Sequence, residues 1–323
     1  MTAVIGAGSF GTTLAALLAA SGERVTLWAR DPAHAAEMAK TRRNPKYVTH
    51  VHLPESLVVT SDLSEALAGE RVVLHVVPSK GTRSAARAYA KHLDPDAVIV
   101  SATKGLEKGG HKRMSQVIGE ETGHTVGALS GPNHAEEISA HQPTAAVLAH
   151  PHIEVAEEIA AILNTPTFRV YPRRDLIGTE VCGAYKNVVA LAGGMVEGLG
   201  WGDNCLACLI TLGLDEMIEL CRDLGGDERT VYGLAGVGDL VATATSPHSR
   251  NRFYGRELAL KTPPDEIDRK MKGMVAEGVL ATQAFHAYGV EEELDLPLTR
   301  VVHAIVYEGA TVQEGVRKLL AQV

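Results

Sequence analysis

The chain has 323 residues, 45% of them hydrophobic and 22% charged, which is typical of a soluble globular protein with room for two domains. Its net charge of −8 at pH 7 argues against nucleic acid and anionic membrane surfaces as partners. No apolar run has transmembrane length and no signal peptide precedes the first strand, so we expect no membrane insertion.

The chain begins with a short apolar strand, a glycine turn and an alanine- and leucine-rich helix, between Thr2 and Ala20. Gly6, Gly8 and Gly11 have the G-x-G-x-x-G spacing of dinucleotide-binding turns. The first glycine forms the turn, the second lets the backbone approach a pyrophosphate, and the third lets the helix pack on the strand. The same spacing also occurs as a plain turn in nucleotide-free α/β folds, so the rest of the chain must decide.

Short apolar strands alternate with helices through the first half of the chain. After the first strand, we predict strands at residues 24–28, 57–60, 71–77, 97–103, 125–129, 145–149 and 168–171. Such alternation is typical of a doubly wound, mostly parallel α/β sheet of the Rossmann type. From Gly178 onward the periodicity is helical. We therefore predict a dinucleotide-binding Rossmann domain over residues 1–177 and an all-α substrate-binding domain over residues 178–323.

The end of the second predicted strand bears on the choice of cofactor. In a Rossmann domain an acid there binds the ribose 2′-hydroxyl of NAD, whereas an arginine accommodates the 2′-phosphate of NADP. Arg30 and Asp31 stand side by side, and Asp31 before Pro32 suits a helix N-cap. We therefore assign Arg30 to the 2′-phosphate, with a merely solvated arginine as the alternative. NAD or NADP is the expected cofactor.

Two further strand ends carry polar groups. Lys104 follows the strand at 97–103, and the loop Ser130–Asn133 follows the next one. Ligands of open α/β sheets bind beyond the carboxyl ends of the strands, and the helix after Pro132 offers an anion-binding N-terminus. The alternatives are a solvated lysine and a plain proline-started helix.

The helical half contains a lysine in apolar surroundings and an unusual number of glycines. Six glycines lie between residues 178 and 200, which indicates that a helix, a cofactor or both approach this backbone closely. Within this segment, Lys186 is followed by valines and alanines. Desolvation lowers the pKa of such a lysine and suits it to proton transfer, although a lysine at a helix edge could also extend to solvent.

Three later positions offer matching chemistry. Asp239, on a glycine-flanked turn, could orient a lysine or only cap a helix. Ser249-Arg250-Asn251 combines a guanidinium fork with neutral donors, which suits a phosphate but also an ordinary surface turn. Glu277 is either a site residue or a solvated helix start.

All four cysteines lie in the second half of the chain. Cys205 and Cys208 form a C-x-x-C in a helical pattern without a second ligand pair, so we predict buried thiols rather than zinc or redox chemistry, and no metal. Cysteine usage favours a reducing cytoplasm.

Taken together, these motifs resemble the soluble NAD(P)-dependent glycerol-3-phosphate dehydrogenases, which reduce dihydroxyacetone phosphate. The resemblance spans nearly the whole chain. Its motifs are the glycine turn with Ser9 and Phe10, Pro78-Ser79, 102–105, 130–132, Lys186-Asn187, 238–240, 249–251 and 275–277. The resemblance implies reversible hydride transfer between NAD(P)H and dihydroxyacetone phosphate, giving sn-glycerol 3-phosphate for glycerophospholipid biosynthesis, in a homodimer.

The resemblance also implies residue roles. Lys186 would donate and accept the proton, with Lys104 and Asp239 as its catalytic partners. The substrate site would comprise Lys104, Gly131, Asn133, Lys186, Asp239, Ser249, Arg250 and Asn251. The cofactor site would comprise Gly6, Gly8, Ser9, Phe10, Gly11, Arg30, Lys104, Ala135, Arg250, Val275 and Glu277.

Three positions depart from the family pattern. Phe10 stands where many relatives have tryptophan or tyrosine, and Asn133 replaces serine or threonine. Tyr47-Val48 replaces the more usual Tyr-Leu-Pro, so no cofactor contact is assigned to that loop.

Two other functions remain open on the residues alone. One is a two-domain dehydrogenase of the hydroxyacid or ketopantoate type, in which Arg250 would bind a carboxylate. The other is a non-catalytic NAD-binding regulatory module, which would leave Lys104, Lys186 and Asp239 without a purpose.

Overall fold

The structure is a computed structural model, and it describes residues 1–271 and 274–321. The chain forms two compact units. One comprises Met1–Thr103 and Met114–Leu176, and the other comprises Lys104–Arg113 and the chain from Ile177 on. The predicted boundary after residue 177 lies one residue from this division. Segment 104–113, placed by the prediction in the first domain, groups with the second unit. Residues 272–273 and 322–323 of the predicted second domain lie outside the described residues.

The first unit is built on one eight-stranded sheet with the strand order β3-β2-β1-β4-β5-β6-β7-β8. The strands are β1 (Thr2–Ile5), β2 (Val25–Trp28), β3 (Val58–Thr60), β4 (Val72–His75), β5 (Val98–Ser101), β6 (Val126–Ser130), β7 (Thr144–Ala149) and β8 (Phe168–Arg173). All neighbouring pairs are parallel except β6 and β7, which are antiparallel. The prediction of a doubly wound, mostly parallel sheet is confirmed.

Helices cover this sheet and bury its apolar strands. They are α1 (Ser9–Ala20), α2 (Pro32–Thr41), α3 (Leu63–Leu67), α4 (Thr82–Tyr89), α5 (Met114–Thr122), α6 (Ala135–Ser139) and α7 (Ile153–Leu163). Strand β1 is buried along its whole length: Val4 belongs to one hydrophobic core, and its neighbours Ala3 and Ile5 belong to a second. Alternate side chains of a strand point to opposite faces, so a strand covered on both faces is apolar throughout.

The second unit is helical, apart from its short segment 104–113. Its helices are α8 (Leu176–Gly198), α9 (Asp203–Asp223), α10 (Asp239–Thr245), α11 (Arg250–Ala259), α12 (Pro264–Lys270), α13 (Glu277–Glu291), α14 (Pro297–Tyr307) and α15 (Val312–Leu320). The prediction of a helical C-terminal half is confirmed. Even α8, at 23 residues, is not apolar enough to cross a bilayer, and this holds for every helix in the described parts of the chain.

The glycines of α8 allow α11 to pack directly against its backbone. A Cβ atom on Gly194 would overlap the carbonyl group of Arg252, and one on Gly198 would lie 2.6 Å from the Cβ of Ala259. In return, a Cβ on Gly255 of α11 would overlap the carbonyl oxygen of Leu191. Because such contacts exclude any larger side chain, these glycines fix α11 against the C-terminal half of α8. At Gly194 and Gly198, the element that approaches this backbone is therefore a helix.

Candidate functional site

The glycine turn after β1 has the geometry that a dinucleotide phosphate needs. Gly6 has φ +122°, where its missing Cβ would meet the carbonyl of Val76, and a Cβ on Gly11 would overlap the carbonyl oxygen of Gly6. A Cβ on Gly8, by contrast, would have no atom within 4 Å. Two of the glycines are thus required by packing, whereas Gly8 leaves open space at its surface. Such a space suits close approach of a ligand to the backbone.

The start of α1 is also suited to an anion. Gly8 is its extended N-cap, no side chain in the described parts of the chain caps it, and its first turn, from Ser9 and Phe10 to Gly11, contains no acidic residue. Free amides and the positive end of the helix dipole then face the turn. The residues present therefore fit a bound pyrophosphate.

At the end of β2, the two candidate cofactor residues have different environments. Arg30 is exposed. The carboxylate of Asp31 caps α2 by accepting hydrogen bonds from the amides of Ala33 and His34, at 3.0 and 3.4 Å. These bonds lower the pKa of Asp31, first that from His34 and then that from Ala33. The predicted N-cap role of Asp31 is confirmed, and the assignment of Arg30 to a 2′-phosphate stays a prediction.

The loop after β6 packs closely against the neighbouring strand β7 through Gly131. Gly131 has φ +130°, and a Cβ on it would lie 3.0 Å from the Cα of Ala146, so only glycine fits without strain. Asn133 is buried, with 8% of its surface exposed, and the buried Ala135 begins α6.

Within the second unit, three of the predicted residues meet around one carboxylate. The ammonium of Lys186 lies 2.6 Å from Oδ1 of Asp239, and that of Lys104 lies 2.8 Å from Oδ2. Lys186 also donates to the hydroxyl of Thr243 at 2.6 Å. We call these four residues the lysine–aspartate cluster. The side chains of Lys186 and Asp239 are 6% and 2% exposed, and that of Lys104 is 17% exposed.

This environment alters both partners of the buried pair. Burial lowers the pKa of Lys186 to about 7; the charge of Asp239 opposes this effect, while those of Lys104 and Arg250 add to it. Burial alone would raise the pKa of Asp239, but the ammonium groups of Lys104 and Lys186 lower it below its ordinary value. The carboxylate is therefore ionised at neutral pH, and Lys186 exchanges its proton near neutrality.

The backbone before α10 explains how Asp239 reaches this position. A wide helical turn at Leu234–Gly238 contains Gly236 at φ −92° and ψ −106°, where a Cβ would overlap the carbonyl oxygen of Val231. The chain then enters α10 with Asp239 as its first residue, and Thr243 follows one turn later on the same face. This spacing lets Thr243 contact both Asp239, at 3.3 Å, and Lys186.

A chain of amide hydrogen bonds holds the backbone around the cluster. The amide of Gly278 donates to Oδ1 of Asn251, and Nδ2 of Asn251 donates to Oδ1 of Asn187, both at 2.8 Å. Nδ2 of Asn187 in turn lies 3.3 Å from the carbonyl oxygens of Lys104 and Gly183. We call Asn187 and Asn251 the amide chain. It connects the starts of α11 and α13 to α8 and to the backbone of Lys104.

The remaining predicted residues lie at helix starts of this unit. Ser249 caps α11 by accepting from the amide of Arg252 at 3.2 Å, and Arg250, the first residue of α11, is exposed. The charge of Arg250 contributes to lowering the pKa of Lys186. Val275 is half-buried, and Glu277 is the first residue of α13.

Sequence reasoning did not identify Thr243 or assign a role to Asn187, and it was wrong about two cysteines. Thr243 stands four residues after Asp239 in a helical pattern, a spacing that could have indicated it. Cys205 and Cys208, near the start of α9, are only partly buried, unlike Cys182 and Cys221.

Comparison with known proteins identifies the family. The model of the NAD-dependent glycerol-3-phosphate dehydrogenase N-terminus matches residues 1–156, and the model of the C-terminus of the same enzyme matches residues 175–317. A glycerol-3-phosphate dehydrogenase [NAD(P)+] of Chlorobium luteolum is 40% identical over 99% of this chain and 97% of its own length.

Solved structures agree with these matches. The glycerol-3-phosphate dehydrogenase of Coxiella burnetii superposes with a TM-score of 0.95 at 38% identity, covering 99% of this chain and 98% of that one. A ketopantoate reductase of Ralstonia eutropha, at 18% identity and a TM-score of 0.62, covers 98% of this chain and 99% of its own, and shares the fold alone. The chain therefore belongs to the NAD-dependent glycerol-3-phosphate dehydrogenase family, and it is an oxidoreductase that uses NAD or NADP.

Proposed function

We propose that this enzyme catalyses the reversible reduction of dihydroxyacetone phosphate to sn-glycerol 3-phosphate, with Lys186 as the group that donates and accepts the proton. One observation carries the proposal: Lys186 is buried, bonded to Asp239 at 2.6 Å, and has a pKa lowered to about 7. A general acid works best when its pKa lies near the operating pH. The buried position and the pKa are otherwise difficult to explain for a lysine.

The cofactor supplies or accepts a hydride at the carbon that bears the reacting oxygen. When that carbon receives a hydride, the carbonyl oxygen gains negative charge, and the ammonium of Lys186 neutralises it by giving up a proton. In the reverse direction the neutral amine of Lys186 removes the proton of the hydroxyl. Asp239 and Thr243 hold the Nζ of Lys186 in place through bonds of 2.6 Å, so the proton moves at a fixed atom.

Lys104 has two roles in this proposal. Its ammonium is more exposed than that of Lys186, so it can also bind the substrate oxygens. Its charge also keeps Asp239 ionised and lowers the pKa of Lys186. One cation thus orients the substrate and tunes the proton donor.

The phosphate of the substrate would bind at the start of α11. The exposed guanidinium of Arg250 can form two parallel hydrogen bonds to a phosphate, and Ser249 and Asn251 flank it. Gly131 and Asn133 complete the substrate site in the proposal. The glycine turn with Ser9 and Phe10, together with Arg30, Lys104, Ala135, Arg250, Val275 and Glu277, would contact the dinucleotide.

The wider setting is also proposed. The product is a precursor for glycerophospholipids, and the four free cysteines fit a reducing cytoplasm. Large apolar side chains of the second unit that are more than half exposed, such as Tyr232, Leu260 and Val290, would suit a homodimer. Negative net charge fits a small-molecule partner rather than nucleic acid. Sedimentation equilibrium of the purified enzyme tests the dimer.

The activity is tested by following oxidation of NADH and of NADPH with dihydroxyacetone phosphate, pyruvate or ketopantoate as the acceptor. We expect turnover with dihydroxyacetone phosphate and none with pyruvate or ketopantoate. Arg250→Ala should raise the KM for dihydroxyacetone phosphate by about 100-fold, because a charge-assisted bidentate contact is lost. Turnover of ketopantoate or pyruvate but not of the phosphate would contradict the proposal, and an unchanged KM would remove Arg250 from it.

A further inference from the structure

The loop after α2, to which the sequence assigned no cofactor contact, is tied to the glycine turn. Asn44 has no exposed surface, and its Nδ2 donates to the carbonyl of Ala7 at 3.0 Å and to the hydroxyl of Thr12 at 2.8 Å. Its Oδ1 accepts from the amides of Lys46 and Tyr47, both at 3.0 Å. Because Asn44 makes these bonds while fully buried, the backbone of Lys46 is held at a fixed place beside the turn.

From this place the side chain of Lys46 reaches the end of β2. Its ammonium lies 3.4 Å from Oδ2 of Asp31, and both side chains are more than half exposed. Asp31 is the residue whose carboxylate would hold a ribose 2′-hydroxyl in an NAD-specific Rossmann domain. Here its Oδ1 caps α2 and its Oδ2 faces Lys46, so both oxygens are engaged.

The charges at this strand end favour an anion over a hydroxyl. Arg30 and Lys46 provide two positive charges against the single negative charge of Asp31. His34 adds none at neutral pH, because burial first, and then the charge of Lys46, lower its pKa. The strand end is therefore positive overall, and the ammonium of Lys46 is exposed to solvent, where a stronger anion can reach it.

We propose that Lys46, together with Arg30, binds the 2′-phosphate of NADPH and makes this enzyme prefer NADPH to NADH, with Asn44 as the residue that positions Lys46. This inference rests on the proposed function only in taking the nicotinamide dinucleotide as the ligand of the first unit. On binding, the dianionic phosphate takes the place of the Asp31 carboxylate as the partner of Lys46. The ribose 2′-hydroxyl of NADH is uncharged, so it cannot replace the Asp31 carboxylate as the partner of Lys46.

Nucleotide binding tests the proposal independently of turnover. Titration calorimetry on the full-length enzyme compares adenosine 2′,5′-bisphosphate with adenosine 5′-monophosphate, which differ only in the 2′-phosphate. The wild-type enzyme should bind the bisphosphate more tightly. Lys46→Ala should weaken bisphosphate binding by about tenfold, the effect of one charge-assisted hydrogen bond, and should change binding of the monophosphate by less than about twofold.

Matched variants separate the charge from the fold of the loop. Lys46→Gln should behave as Lys46→Ala does, and Lys46→Arg should keep the preference. Lys40→Ala removes an exposed charge from the last turn of α2, the helix that precedes this loop, and should leave the binding of both nucleotides unchanged. Asn44→Ala should also weaken binding of the bisphosphate. Adding Lys46→Arg to the Asn44→Ala variant should not restore this binding.

The possible outcomes are distinct. Equal losses for both nucleotides in Lys46→Ala, or no loss, would overturn the assignment of Lys46. A wild-type enzyme that binds both nucleotides equally would overturn the preference but leave the proposed function intact. Binding of neither nucleotide would overturn this inference and the dinucleotide site together.

Discussion

Two lysine–aspartate pairs with the same chemical groups behave differently in the two units of this enzyme. Lys186 and Asp239 are at most 6% exposed and lie 2.6 Å apart, whereas Lys46 and Asp31 are more than half exposed and lie 3.4 Å apart. Burial lowers the pKa of Lys186 to about 7, whereas hydrogen bonds from the amides of His34 and Ala33 lower the pKa of the exposed Asp31. The environment, rather than the residue types, thus suits one pair to proton transfer and the other to exchange of partners.

The largest expected difference between the pairs is in turnover. Lys186→Met should reduce kcat for dihydroxyacetone phosphate by roughly 1,000-fold, within the usual range for loss of a general acid. Binding of adenosine 2′,5′-bisphosphate should not change. Steady-state kinetics and calorimetry measure the two effects, and Lys40→Met serves as the control for loss of one lysine. A kcat within tenfold of wild type would show that the buried pair is structural.

The free energy of unfolding should also respond very differently to the loss of charge at Asp239 and at Asp31. Asp239→Asn leaves two cations without their counter-charge in a buried site, which we expect to lower the free energy of unfolding by about 3–5 kcal/mol. Asp31→Asn keeps the N-cap and loses only an exposed ion pair, so its effect should stay below about 1 kcal/mol. Urea denaturation followed by circular dichroism compares them. Similar losses in both variants would contradict the role assigned to burial.

The pH dependence of kcat sharpens the comparison further. Reduction needs the ammonium form of Lys186, which predominates below its pKa, so kcat for reduction should fall as the pH rises through about 7. Oxidation of glycerol 3-phosphate needs the neutral amine and should rise over the same range. Because the charge of Lys104 lowers the pKa of Lys186, Lys104→Met should move both the fall of kcat for reduction and the rise of kcat for oxidation to higher pH. A shift to lower pH, or none, would contradict this coupling.

A change in salt concentration should have the smallest effect of the four tests, and it should act on the exposed Lys46–Asp31 pair rather than on the buried Lys186–Asp239 pair. Raising the ionic strength from about 0.1 M to about 1 M shortens the Debye length from about 10 Å to about 3 Å, which screens exposed charges far more than buried ones. The preference for adenosine 2′,5′-bisphosphate should fall several-fold, while the pH at which kcat for reduction is half-maximal should hardly move. Calorimetry and pH profiles at both salt concentrations provide the test.

Local patterns in the sequence predicted most of the fold. Continuous apolar runs indicated the parallel strands, and glycines within α8 indicated a close neighbour, since both features follow from local composition. The antiparallel direction of β7 was not predicted, because the periodicity of a strand carries no direction. The assignment of segment 104–113 to the helical unit depends on contacts with distant residues, which no local pattern records.

The sequence predicted which residues form the candidate site better than it predicted which of them are in contact. The sequence predicts Lys186 as the acid and Asp239 as its orienting group, but 53 positions separate them, and their distance of 2.6 Å depends on how the turn at Leu234–Gly238 leads into α10. Thr243 and Lys46 were missed for the same reason. Each is an ordinary polar residue until the fold places it beside a charged partner.

The amide chain has a consequence for which substitutions the enzyme can tolerate. Its hydrogen bonds all run in one direction, from the amide of Gly278 through Asn251 and Asn187 to the carbonyl of Lys104. Rotating either side-chain amide by half a turn would place acceptor against acceptor and donor against donor. Aspartate, though nearly identical in shape, would accept at one end and repel at the other. Each asparagine therefore has one fixed orientation, and an isostere at either position would interrupt a chain of hydrogen bonds that begins at the backbone N–H of Gly278 and ends at the backbone carbonyl of Lys104.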